Sequence, residues 1–66
     1  MMIGKRIKET RNEYELTQEE FAAKLQISRS ALSLYETDKR QVPNEIILKI
    51  ATLFNVTTDY LFGLQD

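Results

Sequence analysis

Thr17-Gln18-Glu19-Glu20-Phe21-Ala22-Ala23-Lys24-Leu25-Gln26-Ile27-Ser28-Arg29-Ser30-Ala31-Leu32-Ser33-Leu34-Tyr35-Glu36 is the stretch that decides how this 66-residue chain folds. Its opening four residues form a capping box: the Thr17 hydroxyl takes the N–H of Glu20, and the Glu20 carboxylate reaches back to the N–H of Thr17. Leu16 before the cap and Phe21 after it are spaced as a hydrophobic staple. The spacing predicts a helix to about Leu25 that buries Phe21, Ala22 and Leu25. Only Gln26 and Ile27 separate it from Ser28, a second N-cap residue, which opens a helix through Ala31, Leu32 and Tyr35. Two short helices therefore meet at a tight turn. Ala22 falls where they cross, Ile27 plugs the underside of the turn, and Leu32 with Tyr35 anchors the second helix from below.

Working outward, Ile3, Ile7, Arg11 and Tyr14 recur at helical spacing, with Lys5, Arg6, Lys8 and Glu9 between them. They predict an amphipathic first helix of about three turns, stopping at Tyr14-Glu15-Leu16. On the other side, Asp38 to Gln41 is a polar loop. Pro43 fixes the geometry that follows, and Asn44 is the expected N-cap of a helix from Glu45 to Asn55. Ile46, Ile47, Ile50, Ala51, Leu53 and Phe54 make that helix the most apolar, and it is read as the central buried element. Thr57 caps a last short helix, Thr58 to Phe62, with Gly63 placed for the left-handed C-terminal conformation. The expected fold is all-α, a compact five-helix bundle, with residues 1–66 as a single domain and no repeat or linker.

Composition narrows the chemistry. The chain has no cysteine and no histidine, which removes disulfides, the usual zinc sites, thiol nucleophiles and the commonest general base. Glu19 and Glu20 are neighbours that face different directions on a helix, and the second is committed to a cap, so an enzyme is not expected. No cofactor, metal or small-molecule ligand is expected either. The longest strongly apolar run, Ile46-Ile47-Leu48, is far short of the roughly 20 residues that cross a bilayer. Met1-Met2-Ile3 leads directly into Gly4-Lys5-Arg6 with no apolar signal core, so a cytoplasmic protein without a membrane role is expected.

A net charge of −1 and a pI near 5.4 do not give the basic footprint of an obvious nucleic-acid binder. Basic and acidic residues number four and three in residues 1–16, four and four in 17–40, and one and three in 41–66. Negative charge leans towards the C-terminus, so cations that converge on one face can still set the local potential.

The quoted stretch, followed by K-R-Q-V-P and by L-K-I-A-T-L-F-N-V-T-T-D-Y-L-F-G, resembles the lambda-repressor-like Cro/XRE helix-turn-helix family from about Ile3 to Gly63. The resemblance implies sequence-specific binding of double-stranded DNA through the major groove and a transcriptional regulator, expected to be a repressor of phage or bacterial type. It places the helix-turn-helix at about residues 17–36. It also implies roles for named residues. Gln18 corresponds to a glutamine that bonds a DNA phosphate, with Thr17 beside it at a helix N-terminus, where anions are favoured. Arg29 and Ser30 occupy the first turn of the base-reading helix, and Ser33 lies one turn further on the same face; an arginine can bond guanine O6 and N7 together. Ser28 caps that helix and is also placed to touch phosphate. Thr37, Lys39, Arg40 and Asn44 surround the loop that approaches the DNA backbone in such proteins. Each of these positions also admits ordinary surface polarity as its explanation.

Leu34 either faces the groove, where it would meet a thymine methyl, or is partly buried against the following loop. Arg11 sits on the inner face of the first helix and needs a partner; the resemblance supplies Glu36, as a structural ion pair. Gln26 and Asp38 stand where the family often has glycine, which predicts non-glycine residues at positive φ.

Tyr60, Phe62 and Leu64 are surplus apolar groups that either close the core or form a two-fold patch for a homodimer on an inverted-repeat operator. The rival reading keeps the scaffold but makes it a helical protein-binding adaptor, such as an antitoxin or anti-repressor, which the acidic pI favours.

Overall fold

The computed structural model describes residues 3–64. Five helices follow in order: α1 Ile3–Glu13, α2 Gln18–Leu25, α3 Arg29–Glu36, α4 Asn44–Phe54 and α5 Thr58–Leu61, with no strand among the described residues. The molecule measures 27 × 23 × 19 Å. None of these helices is long and apolar enough to cross a membrane.

Helix starts follow the local chemistry of the chain. Thr17 Oγ1 accepts from the Glu20 N–H at 3.1 Å and Glu20 Oε1 accepts from the Thr17 N–H at 2.9 Å, so both halves of the capping box are made. Ser28 caps α3 through the Ala31 N–H, and Thr57 caps α5 through the Tyr60 N–H, each at 3.0 Å. The start of α4 departs from expectation. Asn44 is its first helical residue, and the cap position belongs to Pro43, with φ −61° and ψ 147° and no side-chain bond. A proline already holds the φ that a helix start needs, and its carbonyl accepts from the N–H groups of Ile46 at 3.0 Å and Ile47 at 3.1 Å. Pro43 thus takes the cap position without a side-chain acceptor, and Asn44 falls inside the helix.

Helix ends share one device. After each helix one residue adopts positive φ: Glu15 (55°), Gln26 (60°), Asp38 (58°), Asn55 (54°) and Gly63 (75°). The next N–H then reaches five residues back, as in Leu16 to Arg11 O (3.2 Å), Ile27 to Ala22 O (3.0 Å), Lys39 to Leu34 O (2.9 Å), Val56 to Ala51 O (3.2 Å) and Leu64 to Asp59 O (2.8 Å). These are Schellman closures that satisfy otherwise orphaned carbonyls. Four of the five use a residue other than glycine, each at a cost of about 1 kcal/mol in backbone strain. Leu16, Ile27 and Val56 offset that cost by packing against the core. Helix α4 accordingly stops at Phe54, one residue before the expected Asn55, and α5 stops at Leu61.

Ile7, Phe21, Leu25, Leu32, Ile50 and Leu61 are completely buried at the centre. Phe21 stacks on Phe54 at 4.5 Å between ring centroids, and Tyr14 meets Phe54 edge-on at 5.1 Å. Helix α4 is less enclosed than its composition suggests. Ile46, Ile47, Ile50 and Phe54 point inward, whereas Leu48 and Leu53 are 59% and 53% exposed. An eleven-residue helix with apolar groups on more than one stripe can turn only one of them to the core.

Candidate nucleic-acid interface

Helices α2 and α3 place two N-termini beside each other, and the side chains at those termini define the site. Arg11, Thr17, Gln18, Glu19 and Arg29 line an open concavity of about 630 Å³. Ser28, Arg29 and Ser30 are all exposed on the first turn of α3. Arg29 forms no hydrogen bond or ion pair among the described residues. Its guanidinium is therefore available to a partner, with five donors in a planar fork.

Of the two acids on the first turn of α2, Glu20 is held by local bonding. The Thr17 N–H, followed by its hydroxyl, holds the Glu20 carboxyl below the ordinary carboxylate range. Glu20 thus stays ionised and turned back on its own helix. Glu19 is exposed and lines the concavity.

The far end of α3 is bound to α1. Arg11 Nε donates to Glu36 Oε2 at 2.7 Å, Arg11 Nη2 to Glu36 Oε1 at 3.3 Å, and Arg11 Nη1 to the Leu16 carbonyl at 2.9 Å. Glu36 is only 7% exposed. Its carboxylate also accepts from Gln18 Nε2 at 2.9 Å. Gln18 is therefore half-buried and tied inward, as well as lining the concavity.

Two residues that hold α2 and α3 in place were not singled out by sequence reasoning. Gly4 packs so closely against the end of α3 that a Cβ there would lie 2.5 Å from the Tyr35 carbonyl and 2.6 Å from that of Glu36. Its N–H donates to Asp38 Oδ1 at 3.1 Å, so Asp38 caps the first turn of α1 from the loop after α3. The only sequence signal was a glycine inside an otherwise helical pattern, where it costs about 1 kcal/mol against alanine and needs a packing reason. Lys49 was also passed over. Its Nζ donates to the Leu25 carbonyl at 3.1 Å and closes the end of α2.

Among the remaining candidates, Ser33 and Leu34 are half-buried on α3. The Leu34 carbonyl accepts from the N–H groups of Lys39 (2.9 Å) and Arg40 (3.3 Å), which folds the loop back over the helix end. Thr37 donates its hydroxyl to the Ser33 carbonyl at 2.8 Å. Lys39, Arg40 and Asn44 are exposed. Arg40 and Asn44 line a separate pocket of about 460 Å³ with Ile3, Val42 and Phe62. The three C-terminal apolar candidates divide. Tyr60 turns inward, with its ring 4.6 Å from the Arg6 guanidinium and its hydroxyl donating to Glu9 at 3.3 Å. Phe62 and Leu64 remain exposed, Leu64 at 77%.

The helix-turn-helix family model matches residues 7–61. The chain is similar to the HTH-type transcriptional regulator ImmR of Bacillus subtilis (strain 168), 48% identical over 66 residues, which is all of this chain and 52% of that protein. It is also similar to the antitoxin PezA of Streptococcus pneumoniae, 48% identical over 56 residues, covering 85% of this chain and 35% of that protein. An uncharacterized HTH-type transcriptional regulator of Archaeoglobus fulgidus is 36% identical over 61 residues, covering 92% of this chain and 87% of that protein. The chain thus spans about half the length of ImmR and less of PezA. With five helices in the expected order and a family match over most of its residues, the chain belongs to the helix-turn-helix family of the lambda-repressor-like, Cro/XRE type.

Proposed function

We propose that the chain binds double-stranded DNA sequence-specifically, with the first turn of α3 in the major groove, and acts in the cytoplasm as a transcriptional regulator of repressor type. The observation that carries this reading is the exposed, unpartnered Arg29 on the first turn of α3, beside a concavity shared with Thr17 and Gln18 at the start of α2. An α-helix fits the major groove, and residues at its N-terminal turn reach base edges. In this reading Arg29, Ser30, Ser33 and Leu34 face the bases. Thr17, Gln18, Ser28, Thr37, Lys39, Arg40 and Asn44 face phosphates. Exposed Phe62 and Leu64 pair two copies on an inverted repeat.

Selection of a random duplex library by the purified protein at about 0.15 M salt tests this, because non-specific binding is weak there. The expected result is an inverted repeat with half-sites one helical turn, about 34 Å, apart. One isolated half-site removes the dimer, and no enrichment removes sequence-specific DNA binding.

A second reading, a protein-binding antitoxin, is favoured by the similarity to a protein named as an antitoxin and by the net charge of −1. Salt separates the two. Affinity for DNA falls with a logarithmic slope near −0.9 per contacted phosphate, whereas an apolar protein interface responds little.

A further inference from the structure

Gln18 opens α2 and Glu36 closes α3, and the two side chains meet across the motif: Gln18 Nε2 donates to Glu36 Oε1 at 2.9 Å. The Glu36 side chain is 3% exposed and takes its other bonds from Arg11. A carboxylate only accepts hydrogen bonds, while the two ends of a primary amide have nearly the same shape and opposite polarity. Glu36 therefore decides which end of Gln18 faces it. The amide nitrogen is held against the carboxylate with one hydrogen used, and its second hydrogen remains for another acceptor. An amide free to flip would present its carbonyl oxygen in half of its orientations, and that oxygen repels an anion. Arg11 completes the arrangement by neutralising Glu36 and lining the same concavity as Gln18. At Glu36 an approaching phosphate meets an ion pair and not an uncompensated charge.

We propose that Glu36 is a positioning residue for the phosphate contact of Gln18, selecting the amide orientation that donates; this rests on the DNA-binding reading above. One side-chain bond then joins the fit of the two helices to the docking of the motif on the DNA backbone. Glu36, which does not line the concavity, acts on DNA only through Gln18.

A double-mutant cycle tests the proposal, using the wild-type protein, Gln18→Ala, Glu36→Gln and the double variant. Each is titrated below its own melting temperature with a duplex carrying the selected site. The same titrations use duplexes with single phosphates replaced by neutral methylphosphonates. Expected is a loss of about tenfold on Gln18→Ala in the wild-type background, shrinking to about twofold beside Glu36→Gln. One methylphosphonate position weakens the wild type and leaves the Glu36→Gln protein nearly indifferent. A merely structural Glu36 lowers the melting temperature but leaves the loss on Gln18→Ala the same in both backgrounds, and that result overturns the proposal. Should Glu36→Gln fail to fold, the Gln18 side-chain amide of the wild type is followed by NMR as the duplex is added. A shift confined to the hydrogen not bonded to Glu36 supports the proposal, and any other pattern overturns it. Wild-type protein that binds no duplex overturns the DNA-binding reading itself, a failure distinct from equal losses in the two backgrounds.

Discussion

At its first turn α3 exposes Ser28, Arg29 and Ser30 to solvent, and Arg29 has no partner among the described residues. At its last turn, seven residues on, Tyr35 and Glu36 are buried, the Glu36 carboxylate takes bonds from two other helices, and Gly4 of α1 lies against the final carbonyls. The same eight-residue helix is therefore open at one end and clamped at the other. A helix that must present side chains to a partner at fixed geometry cannot be held by the residues that do the presenting. The holding has moved to the opposite end, where polar bonds and a tight backbone approach set the angle of the helix without obstructing its exposed turn. Substitutions at the two ends should separate accordingly, with stability and the phosphate contact positioned by Glu36 lost at the clamp, and base reading lost at the open turn.

The largest effect is expected from Glu36→Ala. It leaves the Arg11 guanidinium, whose side chain is 12% exposed, without its counter-charge. Removing one partner of a buried pair costs about 3 kcal/mol. For a domain of this size that lowers the melting temperature by roughly 15 °C, read by circular dichroism. An unchanged melting point shows that the clamp does not hold the helix.

Gly4→Ala comes next. The new methyl group would lie within 2.6 Å of two backbone carbonyls that cannot yield as a flexible side chain would. Helix α1 must withdraw from α3, at a cost of about 2 kcal/mol. Thermal unfolding of the variant measures it. A loss within about 0.5 kcal/mol, as at an ordinary surface site, means that the close approach contributes nothing.

A pair of glycine substitutions sharpens the comparison, because the two loops flanking α3 contain the same strain with different compensation. Gln26 and Asp38 both lie at positive φ, 60° and 58°. Gln26 is exposed and its side chain makes no bond among the described residues, whereas Asp38 holds the N–H of Gly4. Gln26→Gly relieves strain alone and should raise stability by about 0.7 kcal/mol, net of the entropy glycine adds to the unfolded chain. Asp38→Gly relieves the same strain and removes a cap worth about 1 kcal/mol, so it should be neutral or slightly destabilising. Equal stabilisation by both, in parallel urea titrations, shows that the bond from Asp38 does not fasten α1 to α3.

What was legible in the sequence was what is local. Thr17, Ser28 and Thr57 cap helices through atoms three residues away, whereas the positive φ of Gln26 and Asp38 was expected from the family resemblance. The expected Asn44 cap failed for an equally local reason, since Pro43 holds the extended backbone of the cap position and the helix begins one residue earlier. The amphipathic pattern found the core but could not choose between two apolar stripes of α4, because that choice depends on where α2 and α5 pack. The clamp was only partly readable. Arg11 advertised the need for a partner by standing on an apolar face, and family resemblance supplied Glu36. Nothing within a few residues of Gly4, Asp38 or Gln18 specifies contacts that join positions 34 and 18 apart in sequence. Such contacts exist only once the helices have been placed.

The smallest effect on stability and the most informative one on recognition is expected at Arg29. The side chain is exposed and unpartnered, so Arg29→Ala should leave the stability within about 0.5 kcal/mol of wild type. If Arg29 reads a base, affinity for the selected site falls by about 1–3 kcal/mol and preference is lost at one base position, because the bidentate match to guanine is removed. If it touches only phosphate, every duplex loses affinity alike and the salt slope drops by about one. Profiling the variant against single-base changes of the site, at two salt concentrations, distinguishes these outcomes. A third result, a clear fall in melting temperature, would mean that the open end of α3 also helps to hold the helix, and the division of labour between its two ends would no longer stand.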